Sequence, residues 1–550
     1  MTVLRCIVFS LFALSVASVP AIASDKYSGT PTARVELETG KVASQSGDWG
    51  KAAAAYKRAT EIDPNFADAH DQYMYARLRV AIGDISKLSS ESEAEKADQL
   101  ERVKKMNEAV TKEYEDLTQQ HPDMPIYRWA LAQRYNESNP GLQEKYCKEA
   151  LAMDPAFAPG YSCIAAVAFL RADTETIVQS YRKLIELEPD KREVWRQLQY
   201  AVKNSPEQYK EVTDEIVKNF PGTNEAAQAL TTYAKSLPES EALPRLEEIV
   251  TKYPPRKFPA SSKAGDLMFD IYDHTDPAKS AAFAHQMLSE LPDDKYWKKM
   301  AAYADSMANA QSKVEANEGA PALAILKDVK VPTSIFDKTR LELLTAKAQA
   351  VSGNPETAYS DLLKVFAKEP EHALQDALYK YGKILGKSES AVDGEVWNLR
   401  SSNATPAIPF TLESFLDGKK VSLSDYKGKV VLLDFWYPNC GPCMGAMPYL
   451  QDLYSKYKDS GLVYLGVNGI EGQADFVMPM VKKRGWGFIP LRGDKKFTAD
   501  VYKVRGYPST FLIGADGRVY FKPFTYDQHQ HDITDLQIQA LLDEAKQRAN

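Results

Sequence analysis

Cysteine is scarce in this chain, five in 550 residues, which excludes a disulfide-dense scaffold and makes the position of each one the question. A basic excess is also missing. Lys and Arg number 68 against 75 Asp and Glu, for a formal charge of −7, so nothing stands ready to neutralise a phosphate backbone and no nucleic-acid partner is expected. The composition, 44% hydrophobic and 26% charged, lacks the bias of a disordered, collagen-like or multi-span membrane protein. What the chain does have is length. Single hydrophobic cores stop growing at roughly 250 to 300 residues, so 550 residues must be divided or repetitive.

The first cysteine falls in a segment expected to be discarded. Arg5 precedes an apolar run from Cys6 to Val19, then Pro20 and Ala21-Ile22-Ala23, the layout of a cleavable secretory signal over residues 1–23. The run is shorter than the roughly 20 apolar residues that span a bilayer. No cysteine stands at the junction for a lipid, and the final Gln-Arg-Ala-Asn is no retention signal. Export to an extracytoplasmic space, most simply a bacterial periplasm, is the expectation.

An internal period follows. Gly40, Ala52, Tyr56, Ala59 and Pro64 have the order of a helix-turn-helix unit, with small residues for close contact, an aromatic for the seam and a proline to close the second helix. Closing prolines recur at Pro122, Pro155, Pro189, Pro221 and Pro254, separated by 33, 34, 32 and 33 residues. "AYKRATEIDPNFADAH", "YCKEALAMDPAFAPGY" and "YRKLIELEPDKREVW" resemble the second helix and exit turn of tetratricopeptide repeats, whose period this is. The resemblance covers residues 33–395 and loosens after 255, where Pro292, Pro332 and Pro370 imply longer or degenerate units. Between Pro64 and Pro122, "ISKLSSESEAEKADQLERV" reads as an extended helix or helical insertion. Such arrays stack into a superhelix, and the resemblance implies a protein or peptide ligand. A spacer without a ligand is the alternative. Tyr73, Met74 and Tyr181 at helical spacing read as seam packing. Cys147, at an aromatic position, and Cys163, in the next helix, are expected as buried unpaired thiols, with a disulfide as the alternative in an oxidising compartment.

After Trp397 the texture changes to short apolar runs between Gly, Pro and Asp, which places a linker at 396–402 and a second domain at 403–550. Phe410-Thr411-Leu412 and Val421-Ser422-Leu423 suggest a hairpin, and "KVVLLDFW" a buried strand. Cys440-Gly441-Pro442-Cys443 follows at once, opening a helix-compatible stretch, Met444 to Lys458. A sulfur at a helix N-terminus meets unsatisfied amides and the positive end of the dipole, which favours the attacking thiolate. A second thiol three residues on is placed to resolve the mixed disulfide. Zinc would require two further ligands, and no second C-x-x-C or H-x₃₋₅-H exists; His529 and His531 lie far along the chain. No metal and no cofactor beyond the cysteine pair is expected. Asp434 interrupts the apolar strand, and is either buried and used or turned to solvent at the strand end. Pro508, after a Gly-Tyr turn, is a natural site for a cis bond. Ala515-Asp516-Gly517 joins two strands as a hairpin turn, and a helix from about Asp535 to Arg548 closes the chain.

"VVLLDFWYPNCGPC" with "RGYPSTFLIGADGRVY" resembles the thioredoxin fold, and "FTLESFLDGKKVSLSDYKGKVV" the N-terminal extension of exported TlpA- and ResA-like thiol-disulfide oxidoreductases, in all about residues 403–548. An all-α tetratricopeptide-like superhelix followed by an α/β thioredoxin fold is the implied architecture. Carried over, the resemblance makes Cys440 the nucleophile, Cys443 the resolving cysteine and Asp434 the buried acid that takes its proton. It places Trp436 beside the site, Gly441 and Pro442 within the substrate-facing motif, Pro508 as the cis-proline facing the disulfide, and Tyr507 presenting backbone to an extended substrate. Two positions depart from it: Asn439 replaces an aromatic, and Ala446 an acid. The implied activity is reduction of protein disulfides by an extracytoplasmic enzyme, with disulfide-containing proteins as substrates, a membrane or periplasmic thiol as electron donor, and a repeat array that recruits a partner. The alternative is a tetratricopeptide scaffold with a subordinate redox sensor. Peroxidase activity is disfavoured because Tyr437 stands where a Thr or Ser is needed, and copper delivery because no His lies near the motif.

Overall fold

The structure, a computed structural model, describes residues 26–83, 93–135, 139–332, 339–470, 473–494, 496–524 and 531–549. The expected signal at 1–23 and His529 lie outside the described residues. The chain divides into two compact units, Met1–Val202 and Lys203–Asn550.

The first unit is entirely helical among its described residues, and each helix packs on the next. Its helices end where the prolines require. Asp63, Asp154 and Glu188 are C-caps immediately before Pro64, Pro155 and Pro189, and Asp63 sits at φ −136°, ψ 94°, because a residue preceding proline is driven out of the helical region. The helices Pro31–Gln45 and Trp49–Ile62 approach so closely that a Cβ on Gly40 would overlap the Tyr56 ring, the one steric reason for glycine there. Tyr56, Ala52 and Ala59 are buried in that seam. Part of the polar insertion forms the long helix Glu93–Gln120. Tyr73 and Met74 are buried, as seam packing requires.

The unpaired reading of Cys147 and Cys163 is corrected here. They form a disulfide between the helices Pro140–Met153 and Ala158–Leu170, with Cα atoms 6.2 Å apart. The antiparallel helix pair brings residues separated by one turn of loop into register, and both sulfurs lie in the buried seam.

The second unit begins with further helices, again closed before proline at Phe220, Tyr253, Leu291 and Glu369. Lys295–Glu315 is longer than the others, and Pro332 lies beyond the end of Gly319–Leu326 rather than closing it. A thioredoxin-like sheet domain follows. Residues 396–402 are not a linker: the helix Glu389–Asn403 runs through them. Trp397 stacks on Tyr520 at 4.9 Å, and the buried Arg400 donates to the carbonyls of Ala367 and Phe366 while its guanidinium lies 5.1 Å from the Phe521 ring. Arg518 also donates to the Ser401 carbonyl. A polar-looking stretch stays helical because its apolar and cationic side chains are covered from both sides.

The sheet contains β1 (Thr405–Pro406), β2 (Thr411–Ser414), β3 (Lys420–Ser422), β4 (Val430–Trp436), β5 (Leu462–Asn468), β6 (Ile489–Arg492), β7 (Ser509–Ile513) and β8 (Arg518–Val519), in the spatial order β1-β8-β7-β4-β5-β6-β2-β3. β4 and β5 are parallel, as are β5 and β6, while β7 runs antiparallel to β4. The expected hairpins are β2–β3 and β7–β8. Every residue of β4 is buried, Asp434 included, as the apolar residues on either side of that carboxyl require of a central strand. Side chains alternate across the sheet. Val431, Leu433 and Phe435 join one core, with Leu465, Val467 and Leu491, which leaves Leu432, Asp434 and Trp436 on the opposite face. Leu432 pairs with Tyr464, whose hydroxyl lies 3.2 Å from the Met447 sulfur of the helix Gly441–Tyr457. That helix therefore covers the face on which Asp434 projects. The last helix, His531–Ala549, also packs on β4.

Candidate active site

The motif occupies the carboxyl end of β4, where the chain leaves the sheet and turns into the helix Gly441–Tyr457. Cys440 is the N-cap residue, at φ −89°, ψ 98°, and its sulfur accepts the Cys443 amide at 3.1 Å. This is the place a serine or aspartate would take at an ordinary helix start, and the same orphan amides that a carboxylate satisfies there stabilise a thiolate. Pro442 lies in the first turn, where proline forfeits no hydrogen bond. Cys440 and Cys443 form a disulfide, 2% and 0% exposed, with Cα atoms 5.2 Å apart. Gly441 is half-buried and Pro442 exposed, so the motif meets solvent along its middle residues.

Asp434 is wholly buried, which excludes a carboxylate turned to solvent. Its Oδ1 accepts the Thr510 hydroxyl at 3.0 Å, and its Oδ2 has no partner among the described residues. Burial pushes its pKa up to about 8, against smaller opposing effects from the Thr510 hydroxyl and the Phe435 amide. At neutral pH only about a tenth of such a group is ionised.

Tyr507–Pro508 is a cis peptide bond. The register places Ser509 opposite Phe435 and Thr510 opposite Asp434, so Pro508 lies at the end of β4 from which the motif departs. Pro508 is buried and Tyr507 half-buried, with its ring edge-on to Tyr437 at 5.2 Å. Trp436 is wholly buried, edge-on to Trp486 and Phe488 at 5.7 and 5.5 Å. Its side chain is fully enclosed, with no face open to solvent.

Three features escaped the sequence reading. Gln473 accepts the amide of Asn439 at 2.9 Å and so fastens the residue before Cys440. Gly469 lies so close to Tyr507 that a Cβ would overlap the phenol ring. Thr510 is the third. Its position two residues after Pro508, in the register of the strand, was a usable signal; nothing local marks Gln473. Ala446, in the place of an acid, is buried in the helix. His531 lies 3.8 Å from Asp452 on the surface. Among the described residues no group of three or more His, Cys, Asp or Glu is arranged to hold a metal ion.

A buried cysteine pair, here joined as a disulfide, at a helix N-terminus, at the end of a central strand and beside a cis-proline, defines a site of the thioredoxin-like class. Residues 404–522 match the model of the AhpC/TSA family. The chain is 40% identical over 108 residues to the thiol-disulfide oxidoreductase ResA of Bacillus cereus, covering 20% of this chain and 61% of that protein. It is 36% identical over 118 residues to ResA of Bacillus subtilis, covering 22% and 65%. This chain thus spans under two thirds of the relatives it matches. Among solved structures, a thiol:disulfide interchange protein from a Bacteroides species aligns at 26% identity over 26% of this chain and 93% of that one, with a TM-score of 0.23. The thioredoxin domain of a thiol-disulfide oxidoreductase from Bacteroides vulgatus aligns at 26% identity over 24% and 96%, with a TM-score of 0.22.

Proposed function

We propose that this protein is an extracytoplasmic thiol-disulfide oxidoreductase that reduces protein disulfides by dithiol-disulfide exchange. The observation that carries the reading is the Cys440–Cys443 pair, with the Cys443 amide directed at the Cys440 sulfur from a helix N-terminus. In the reduced enzyme the Cys440 thiolate attacks a substrate disulfide, forming a mixed disulfide and releasing one substrate thiolate. Cys443 then gives its proton to the Asp434 carboxylate and attacks the Cys440 sulfur. The Cys440–Cys443 bond forms, the mixed disulfide breaks, and the second substrate sulfur leaves and is protonated. Two electrons pass from the enzyme's dithiol to the substrate, and a thiol donor must restore them.

Gly441, Pro442, Tyr507 and Pro508 form the substrate-facing rim in this reading, Tyr507 offering backbone to an extended segment, while Trp436 supports the motif from behind. The organisation we infer is a signal at 1–23, tetratricopeptide-like repeats at 33–395 that recruit a protein or peptide partner, and the redox domain from 403 to 550, with the helix through 396–402 as its junction. Helices closed at a regular proline interval support the repeat reading. The Cys147–Cys163 disulfide supports export, because such bonds persist in oxidising compartments. No described helix is long and apolar enough to cross a membrane.

The test is reduction of insulin by the full chain in the presence of dithiothreitol. Wild type accelerates it and Cys440→Ser does not; a wild-type protein inactive on every disulfide tried removes the proposal. Cys443→Ser, which holds substrates on Cys440 as mixed disulfides, then identifies them.

A further inference from the structure

The proton step assigned to Asp434 needs a carboxyl held still in an otherwise apolar enclosure, and one side chain does this. Thr510 is wholly buried on β7, opposite Asp434 in the β4–β7 register. Its backbone N–H and C=O are both taken on the far side by Phe524, at 2.9 and 3.1 Å. In an antiparallel ladder both groups of a residue point the same way, so Thr510 and Asp434 are a non-hydrogen-bonded pair, the kind whose side chains stand closest. The hydroxyl spans that gap to Oδ1 at 3.0 Å.

Among the described residues the other carboxyl oxygen, Oδ2, has no hydrogen-bond partner. Across β4 on the other side stands Gly466, which has no side chain to offer. Burial, the Thr510 hydroxyl and the Phe435 amide are the influences on its proton affinity, and no charged side chain is among them. The other titratable groups of the site are the phenols of Tyr437 and Tyr507 at its rim and the two thiols that appear when the Cys440–Cys443 bond is reduced.

We propose that Thr510 is a positioning residue for the resolving step: its hydroxyl fixes Oδ1 and leaves Oδ2 as the oxygen that takes the Cys443 proton, while stabilising the ionised carboxyl that must take it. The proposal rests on the reading of Asp434 as proton acceptor. The hydroxyl donates to Oδ1 in both protonation states, so the carboxyl keeps one orientation, and the bond is stronger to the anion. Without it Asp434 holds its proton more tightly and less carboxylate is available at neutral pH. The atoms balance as before. The proton leaves the Cys443 sulfur for Oδ2, the Cys440–Cys443 bond forms, and the released substrate thiolate is protonated from Oδ2 or water.

The oxidised full chain offers a clean measurement, since the thiols of the site are absent and Asp434 titrates without them. Carboxyl ¹³C NMR, assigned with Asp434→Asn, should give a wild-type midpoint near the raised value of about 8. The loss of one hydroxyl bond to a carboxylate in Thr510→Val raises the midpoint by about one pH unit, and Thr510→Ser restores it. Release of mixed disulfide at pH 7 should fall about tenfold in Thr510→Val and recover toward wild type at high pH. Thr510→Ala serves if the valine variant does not fold. An unshifted midpoint in the donor-less variants overturns the proposal. An unaltered release rate in Asp434→Asn instead overturns the acceptor reading beneath it, and the two failures are told apart because the NMR titration reports the first and the release kinetics the second.

Discussion

Replacing Asp434 by asparagine removes an ionisable group from a site that solvates no charge, and the structure says what that does to stability. The carboxyl has an ordinary constant of 3.8 in the unfolded chain and about 8 when folded, and it is completely buried, so no solvent screening reduces the effect. Below about pH 4 both states are protonated and the group is neutral to folding. Between about 4 and 8 the unfolded chain gives up the proton while the folded chain keeps it, so the native state binds more protons and stability falls as pH rises. Above about 8 the loss is complete. The shift of about four units, at about 1.4 kcal/mol each, sets a ceiling of roughly 5 to 6 kcal/mol, of which about 4 is reached at pH 7. A neutral amide in the same place carries no such cost, so the stability difference between Asp434→Asn and wild type should grow by about 4 kcal/mol from pH 4 to pH 7. Hydrogen exchange of the β4 amides in the oxidised full chain reports it, because comparing the two proteins at one pH cancels the intrinsic rate. At pH 7 the variant's β4 should be protected about a thousandfold more, relative to the ratio at pH 4. A ratio that does not change with pH refutes the buried-acid account, whatever the variant's absolute stability.

Two further outcomes are expected. The Cys147–Cys163 bond closes a loop of sequence separation 16, so replacing both cysteines by serine should destabilise the first unit by about 3 kcal/mol; in a variant lacking Cys440 and Cys443, denaturation without reductant should expose no thiol from this pair, and titration of both would contradict the bond. Gln473→Leu leaves the Asn439 amide without its acceptor, a cost of about 1 kcal/mol that should appear as faster exchange of that amide; an unchanged rate would mean the contact does not hold the motif's approach.

Much of this architecture was legible locally. The buried strand ending at Trp436 followed from an apolar, β-branched run, and the motif's place at a helix start from the residues around it. The helix ends followed from prolines, because the restriction on the preceding residue acts within one peptide unit and needs no partner. The hairpin turns of the sheet domain were equally local. The stretch 396–402 was misjudged for the converse reason. Its polar residues read as a linker, and only Phe366, Ala367, Tyr520 and Phe521, brought up from distant positions, give Trp397 and Arg400 something to pack on.

By itself, then, the sequence determined which cysteines stand at a helix N-terminus and where each helix must stop, since both depend on chemistry within a few bonds. Tertiary structure alone decided three things: that Cys147 and Cys163 are bonded, that Gln473 holds Asn439, and that Asp434 is enclosed with Thr510 as its partner. Each is a contact between residues far apart in the chain or a degree of burial. The proton affinity of a carboxyl is set by what surrounds it in space, and the sequence supplies only the carboxyl.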